Sequence, residues 1–152
     1  MSGCVYFIRY SETRWVKVGY ATTLKKRLEQ LRCASPEDLT IEASVAAKPI
    51  DERNLHKALF AVRRKREWFE LTPIVRALIL MAQGGHSIAD IIDEAERLSR
   101  AEADRRDQRR YDTLIRGWLR VASDPAQPEH MRACCREFLE EFGEADKIRA
   151  VA

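Results

Sequence analysis

Two runs of β-branched and aromatic residues open the chain, Cys4-Val5-Tyr6-Phe7-Ile8 and Trp15-Val16-Lys17-Val18-Gly19, with a short polar break, Ser11-Glu12-Thr13, between them. A gap that short cannot hold a crossover connection, so the two strands have one arrangement open to them. That is an antiparallel hairpin over residues 4–10 and 14–20. Residues 39–47 read as a third strand, in which Leu39, Ile41, Ala43 and Val45 alternate with Thr40, Glu42 and Ser44.

Helices fill the spaces between and after the strands. Leu24, Leu28 and Leu31 recur at helical spacing behind Thr22-Thr23, which can cap, and Ser35-Pro36 ends that helix. Pro49 breaks the third strand, and Asp51 caps a helix expected to run to about residue 63. Thr72-Pro73 starts the next helix, which Gln83-Gly84-Gly85 ends. Ser87-Ile88-Ala89-Asp90 has the form of a capping box with Asp in the reciprocal place. Its apolar stripe pauses over residues 99–110 and resumes at Tyr111, Leu114, Ile115, Trp118 and Leu119, giving either one long helix or two. Asp124-Pro125-Ala126-Gln127-Pro128 is a breaker, and a last helix carries Met131, Cys135, Phe138, Leu139 and Phe142. The fold class is therefore α+β. Three strands with flanking helices occupy residues 1–83, and an all-helical extension occupies 84–152.

Charge is divided unevenly over these two parts. Residues 1–75 hold 14 Lys/Arg against 9 Asp/Glu, while residues 76–152 hold 13 against 15. The basic first half is the better partner for a polyanion. No stretch is apolar for long enough to span a bilayer, and the N-terminus lacks a signal-peptide core. Cys4, Cys33, Cys134 and Cys135 form no Cys-x-x-Cys pair and combine with no histidine at a zinc spacing. They read as reduced thiols of a cytoplasmic protein.

Four polar side chains in the first half stand where core residues are expected. Glu52 and His56 flank Leu55 on the inward face of their helix or at its edge, where a carboxylate is costly unless it is paired or binds a metal. Arg27 borders the Leu24/Leu28 stripe, where it either snorkels to solvent or presents a rigid donor fork to a phosphate. Lys25 and Lys26 beside it are a solvated face with diffuse attraction for a nucleic-acid backbone. Lys17 lies in a strand and is read together with Tyr6. A loop of Tyr10–Thr13 places Tyr6 opposite Lys17, both on one face of the sheet, and a slip of one residue sends them to opposite faces. Arg63-Arg64-Lys65-Arg66 offers a phosphate-contact patch or a solvated helix end. Glu67-Trp68-Phe69 reads as a core anchor.

Taken in order, Val5-Tyr6-Phe7, Lys17-Val18-Gly19, Arg27, Glu52-Arg53-Asn54-Leu55-His56 and Glu67-Trp68-Phe69 resemble the motifs of the GIY-YIG nuclease superfamily. They are most similar to its meiotically-up-regulated-gene branch of phages and bacteria, over residues 4–75. The resemblance implies a small three-stranded antiparallel sheet with flanking helices, and a divalent-metal-dependent endonuclease acting on DNA. It implies Glu52 as the ligand of one Mg²⁺ (or Mn²⁺), Arg27 as the stabiliser of phosphoryl charge, and Tyr6 as the group that orients or deprotonates the attacking water. Lys17 is placed to aid Tyr6, and His56 either relays a proton or holds the fold by hydrogen bonding. Lys17 stands where the wider superfamily has a tyrosine, and Cys4 where it has a glycine. The competing reading is a DNA-binding module with the same fold and little or no cleavage. The helices after residue 84 suit a homodimer contact, a partner or DNA.

Overall fold

The computed structural model describes residues 3–10, 13–34, 38–65 and 67–150, with only the backbone of Arg64 and Lys65. The expected helix end at Ser35-Pro36 and the side chains of Arg64, Lys65 and Arg66 lie outside the described residues. The chain runs β1 (Gly3–Tyr10), β2 (Trp15–Ala21), α1 (Leu24–Cys33), β3 (Leu39–Ala47), α2 (Pro49–Ala58), β4 (Arg63–Lys65), β5 (Trp68–Glu70), α3 (Pro73–Gln83), α4 (Ile88–Ser123), α5 (Glu129–Glu141) and α6 (Ala145–Arg149). The α+β class expected from the sequence is the one observed. The sheet is larger than expected: five strands in the order β3-β1-β2-β5-β4, with every pairing antiparallel.

The unbroken apolar run Val5-Tyr6-Phe7-Ile8 follows from β1 being central and covered on both faces. Val5, Phe7, Val16, Val18 and Phe69 face one core, closed by Leu55, Ala58 and Leu59, by Val75 and Leu78 of α3, and by Ile91 and Ala95 of α4. Tyr6, Ile8 and Ala21 face the other way, where Leu24, Leu28 and Leu31 of α1 and Leu39 of β3 cover them. Full burial of each large side chain contributes about 1.5–3 kcal/mol before the entropy of ordering it is set against it.

Three differences from the sequence expectation concern the sheet. The β1–β2 pairing is slid by two residues from the register that a Tyr10–Thr13 loop requires. Tyr6 lies opposite Gly19, and Lys17 lies opposite Ile8. An even slide preserves faces, so Tyr6 and Lys17 still project from the same side. The register with β3 shifts between Phe7 and Ile8, the mark of a bulge. The extra residue flips the alternation: Leu39 points to the α1 side, whereas Ala43 and Ala47 point to the other core. Glu42 at the bulge pairs with Arg9 at 2.7 Å. Finally, α2 stops at Ala58, so the basic run is an edge strand, β4, and not a helix end. A charged edge discourages pairing with another sheet.

The starts of α2, α3 and α4 follow their capping chemistry, whereas Thr23, at the N-cap of α1, makes no side-chain cap bond. Asp51 accepts the backbone N–H of Lys48 (2.7 Å), Thr72 accepts that of Val75 (3.4 Å), and Ser87 and Asp90 bond reciprocally (3.2 Å each). α4 is one helix of 36 residues. The chain forms two compact units, Met1–Ala103 and Asp104–Ala152, and their division falls inside α4, in the stretch without large apolar side chains. The second unit has its own core of Ile115, Ala122 and Leu139, with Trp118 stacked on Phe138 at 5.2 Å. Among the described residues no helix is long and apolar enough to cross a membrane.

Candidate active site

The α1-facing side of the sheet brings together Tyr6, Lys17 and Arg27. Tyr6 is 1% exposed, and its ring lies over Gly19. A Cβ at that position would stand 2.5 Å from the tyrosine oxygen, so the glycine is what admits the ring. From α1, Arg27 Nε donates to the Tyr6 oxygen at 3.2 Å, and Nη1 donates to Gln30 Oε1 at 3.4 Å. The Tyr6 bond, ahead of the nearby charges of Glu67 and Glu52, raises Arg27 above the ordinary arginine value. The guanidinium is therefore a fixed cation with donors to spare. A cleft of about 450 Å³ beside it is lined by Tyr20, Thr22, Thr23, Lys26, Arg27 and Gln30. Lys25 and Lys26 are exposed, as expected of a solvated face.

Lys17 is buried, which is unusual for a lysine and requires a counter-ion. Glu67 supplies it through a direct ion pair. The bond from Lys17 outweighs partial burial and draws the Glu67 carboxyl below the ordinary 4.5, with His56 and Arg27 adding to the effect. Lys17 Nζ also lies 5.4 Å from the Trp68 ring centroid. Trp68 in turn stacks on Tyr10, with centroids 4.8 Å apart and planes 13° from parallel. The Glu-Trp-Phe segment thus sends its three side chains to three places. Phe69 goes to the core, Trp68 to the site face of the sheet, and Glu67 to Lys17. Sequence reading missed Glu67 as a member of the site. The available signal was Lys17 itself, set between two core valines and in need of a carboxylate.

α2 contributes Glu52 and His56, one helical turn apart. Both are half-buried, at the edge of the inward face. His56 Nε2 lies 3.0 Å from the carbonyl oxygen of Val18, which can only accept, so Nε2 carries a proton. The ring also packs against Phe69 at 5.4 Å. This fastens α2 to β2 next to Gly19 and fixes where Glu52 stands. Glu52 makes no hydrogen bond or ion pair with any described residue, and its charge is felt by Arg27.

The described residues contain no group of three or more His, Cys, Asp or Glu side chains arranged around a metal. A closed protein cage of the structural-zinc kind does not fit here. A single uncommitted carboxylate does suit Mg²⁺ or Mn²⁺, which keeps most of its waters and takes its remaining ligands from substrate phosphate. Arg63, on edge strand β4, is exposed and lies apart from the Tyr6–Arg27 pair in the chain's topology.

No curated protein and no solved structure matches the chain. A family model, that of the T5orf172 domain, matches residues 3–99, which take in all five strands, α1 to α3 and the start of α4. With most of its length accounted for in this way, the chain belongs to the T5orf172 domain family, a family of nuclease-like domains of phages and bacteria.

Proposed function

We propose that the first unit is a divalent-metal-dependent endonuclease that hydrolyses DNA phosphodiester bonds through a GIY-YIG-type site. The observation that carries this reading is the convergence, on one sheet face, of a buried tyrosine bonded to a fixed arginine with a lysine beside them. The Glu52 carboxylate, which bonds no other described residue, acts on the same arginine. A packed core does not call for this set, whereas each member of it has a use in an in-line attack on a phosphate.

In this reading Tyr6 orients the attacking water. Arg27 Nε–H stabilises the phenolate form of Tyr6, which takes the water's proton as the water oxygen bonds to phosphorus and the bond to the departing oxygen breaks. The remaining N–H groups of Arg27 face the phosphoryl oxygens, where charge builds in the transition state. Glu52 holds the Mg²⁺ or Mn²⁺ ion, which when bound supplies Lewis-acid stabilisation of the departing oxyanion. His56 keeps Glu52 in position by tying α2 to β2, and its Nδ1 is the ring nitrogen left for a proton. Lys25, Lys26 and the basic β4 run (Arg63, Arg64, Lys65 and the following Arg66) add salt-dependent, sequence-independent affinity for the backbone.

Plasmid nicking in Mg²⁺ or Mn²⁺ tests this, with wild type beside Glu52→Ala and Arg27→Ala. The reading expects cleavage by wild type and a loss of about 10²-fold or more in each variant. Equal cleavage by all three refutes the assignment. Binding without cleavage by wild type favours the DNA-binding module.

A further inference from the structure

The Glu-Trp-Phe segment contributes a carboxylate to the site that the mechanism above leaves unused. We propose that Glu67 is a positioning residue: it holds the Lys17 ammonium as a fixed cation beside Tyr6 and so leaves the water's proton to Tyr6. The inference rests on the nuclease reading and names the residue that sets the charge of that site.

Three observations support it. Lys17 is nearly enclosed, with 9% of its side chain exposed against 45% for Glu67, so its charge depends on what lies next to it. An enclosed ammonium without a partner is strongly disfavoured, and removing one member of such a pair leaves the other's desolvation uncompensated. Second, Glu67 is held at the backbone: the Val18 N–H donates to the Glu67 carbonyl at 3.1 Å, and Lys17 pairs in register with Trp68. The carboxylate is thus delivered to Lys17 by the β2–β5 ladder and is not a wandering surface group. Third, the charged and titratable groups acting on Glu67 are Lys17 of β2, Arg27 of α1 and His56 of α2, all members of the site. Trp68 and Tyr10 close the remaining side of Lys17 with stacked rings.

The ion pair has a chemical consequence. A lysine whose proton is directed at a carboxylate does not accept another from water. Tyr6, whose oxygen receives a hydrogen bond from Arg27, then takes the water's proton in its phenolate form. Glu67 also offsets one positive charge close to where the phosphate lies. It therefore lowers ground-state affinity for DNA while keeping the lysine charged for the transition state.

Single-turnover cleavage and DNA binding of Glu67→Gln, each measured from pH 6 to pH 10, test the inference. Because that substitution strands a buried ammonium, thermal melting checks folding, and Glu67→Asp, which keeps the charge, is the second variant. The expected result for Glu67→Gln is a rate about 10- to 100-fold lower at pH 9, recovering toward pH 6, with DNA binding equal to or tighter than wild type. Lys17→Arg in the Glu67→Gln background, which restores a cation that does not titrate in this range, should flatten the profile. Glu67→Asp should keep the wild-type profile. A Glu67→Gln profile parallel to wild type, or a loss confined to DNA binding, overturns the positioning role and leaves the nuclease reading intact. The ¹⁵N resonance of the Lys17 ammonium, followed with pH in both proteins, reads the ion pair without cleavage. Identical titrations overturn the inference, and an earlier loss of the ammonium in Glu67→Gln supports it. A wild type that does not cut overturns the nuclease reading and the positioning role with it.

Discussion

Gly19→Ala isolates the contact on which the site geometry depends. Gly85 and Gly143 are the positions with positive φ, so the backbone of Gly19 accepts any L-residue and the effect of alanine is purely steric. The new Cβ meets the Tyr6 oxygen at 2.5 Å, Cζ at 2.6 Å and Cε2 at 3.1 Å. Ordinary carbon contacts lie at about 3.5–4.0 Å, so the ring must retreat by about 1 Å. It has little room to do so, being 1% exposed and packed against Leu24, Leu28 and Leu31 of α1. Overpacking of this kind costs about 1–3 kcal/mol. Each kcal/mol corresponds to about 4–8 °C in Tm for a unit of this size. Displacing the tyrosine oxygen by about 1 Å also lowers cleavage by about 10²-fold. Thermal melting and single-turnover nicking of the same preparation measure both effects. A Gly19→Ala protein that melts with wild type and cuts at its rate refutes the claim that Gly19 places Tyr6.

Other substitutions probe separate parts of the account. Gly117→Ala is the matched control: nothing lies within 4 Å of its added Cβ inside α4, so stability should rise by about 0.5–1 kcal/mol, and a fall contradicts that packing. Arg27→Lys keeps the charge but cannot both bond Tyr6 and present a fork, so kcat should fall about 10²-fold with the fold intact by melting; near-normal turnover argues against the fork. Ser87→Ala removes the hydroxyl that caps Asp90 N–H and should cost about 1 kcal/mol in urea titration, an unchanged midpoint meaning that the cap is idle. The Glu67 carboxyl lies below its ordinary 4.5 because Lys17 bonds it. The pair's stabilisation is therefore complete above that value and is lost as pH falls through the lowered one. Wild type should lose Tm more steeply than Glu67→Gln as the pH drops below about 4.5, and parallel slopes would count against the pair.

Much of the sheet was legible because apolar periodicity speaks for it. The third strand is bounded at Leu39 and Ala47, and the α3 start at Thr72-Pro73 and the α4 start at Ser87 follow their caps. The hairpin register was not legible to the residue. Ser11, Glu12, Thr13 and Arg14 are all acceptable in a loop, and moving the loop by one residue slides Tyr6 from Lys17 to Gly19 without changing its face. Strand β4 was hidden because Arg63-Arg64-Lys65 carries no apolar alternation and is a strand only by pairing with β5. The flip of β3 at its bulge was equally silent, since alternation read from Leu39 to Val45 presumes an unbroken pleat. Of the candidate site, Lys17, Arg27, Glu52 and His56 stood out as polar groups at inward positions, and Tyr6 through the face it shares with Lys17. Glu67 did not, because its role exists only once the β2–β5 ladder sets it beside Lys17.

The central claim is that Glu52, a carboxylate bonded to no other described residue, serves a metal-dependent cut at a phosphate held by Arg27 and Tyr6. Glu52→Gln tests it most directly, because it keeps the shape of the side chain and removes only its charge. Single-turnover cleavage of saturating DNA in Mg²⁺ should fall by about 10²-fold or more in this variant, with DNA affinity and Tm close to wild type. Cleavage at the wild-type rate by Glu52→Gln, with the same dependence on Mg²⁺, would contradict the account.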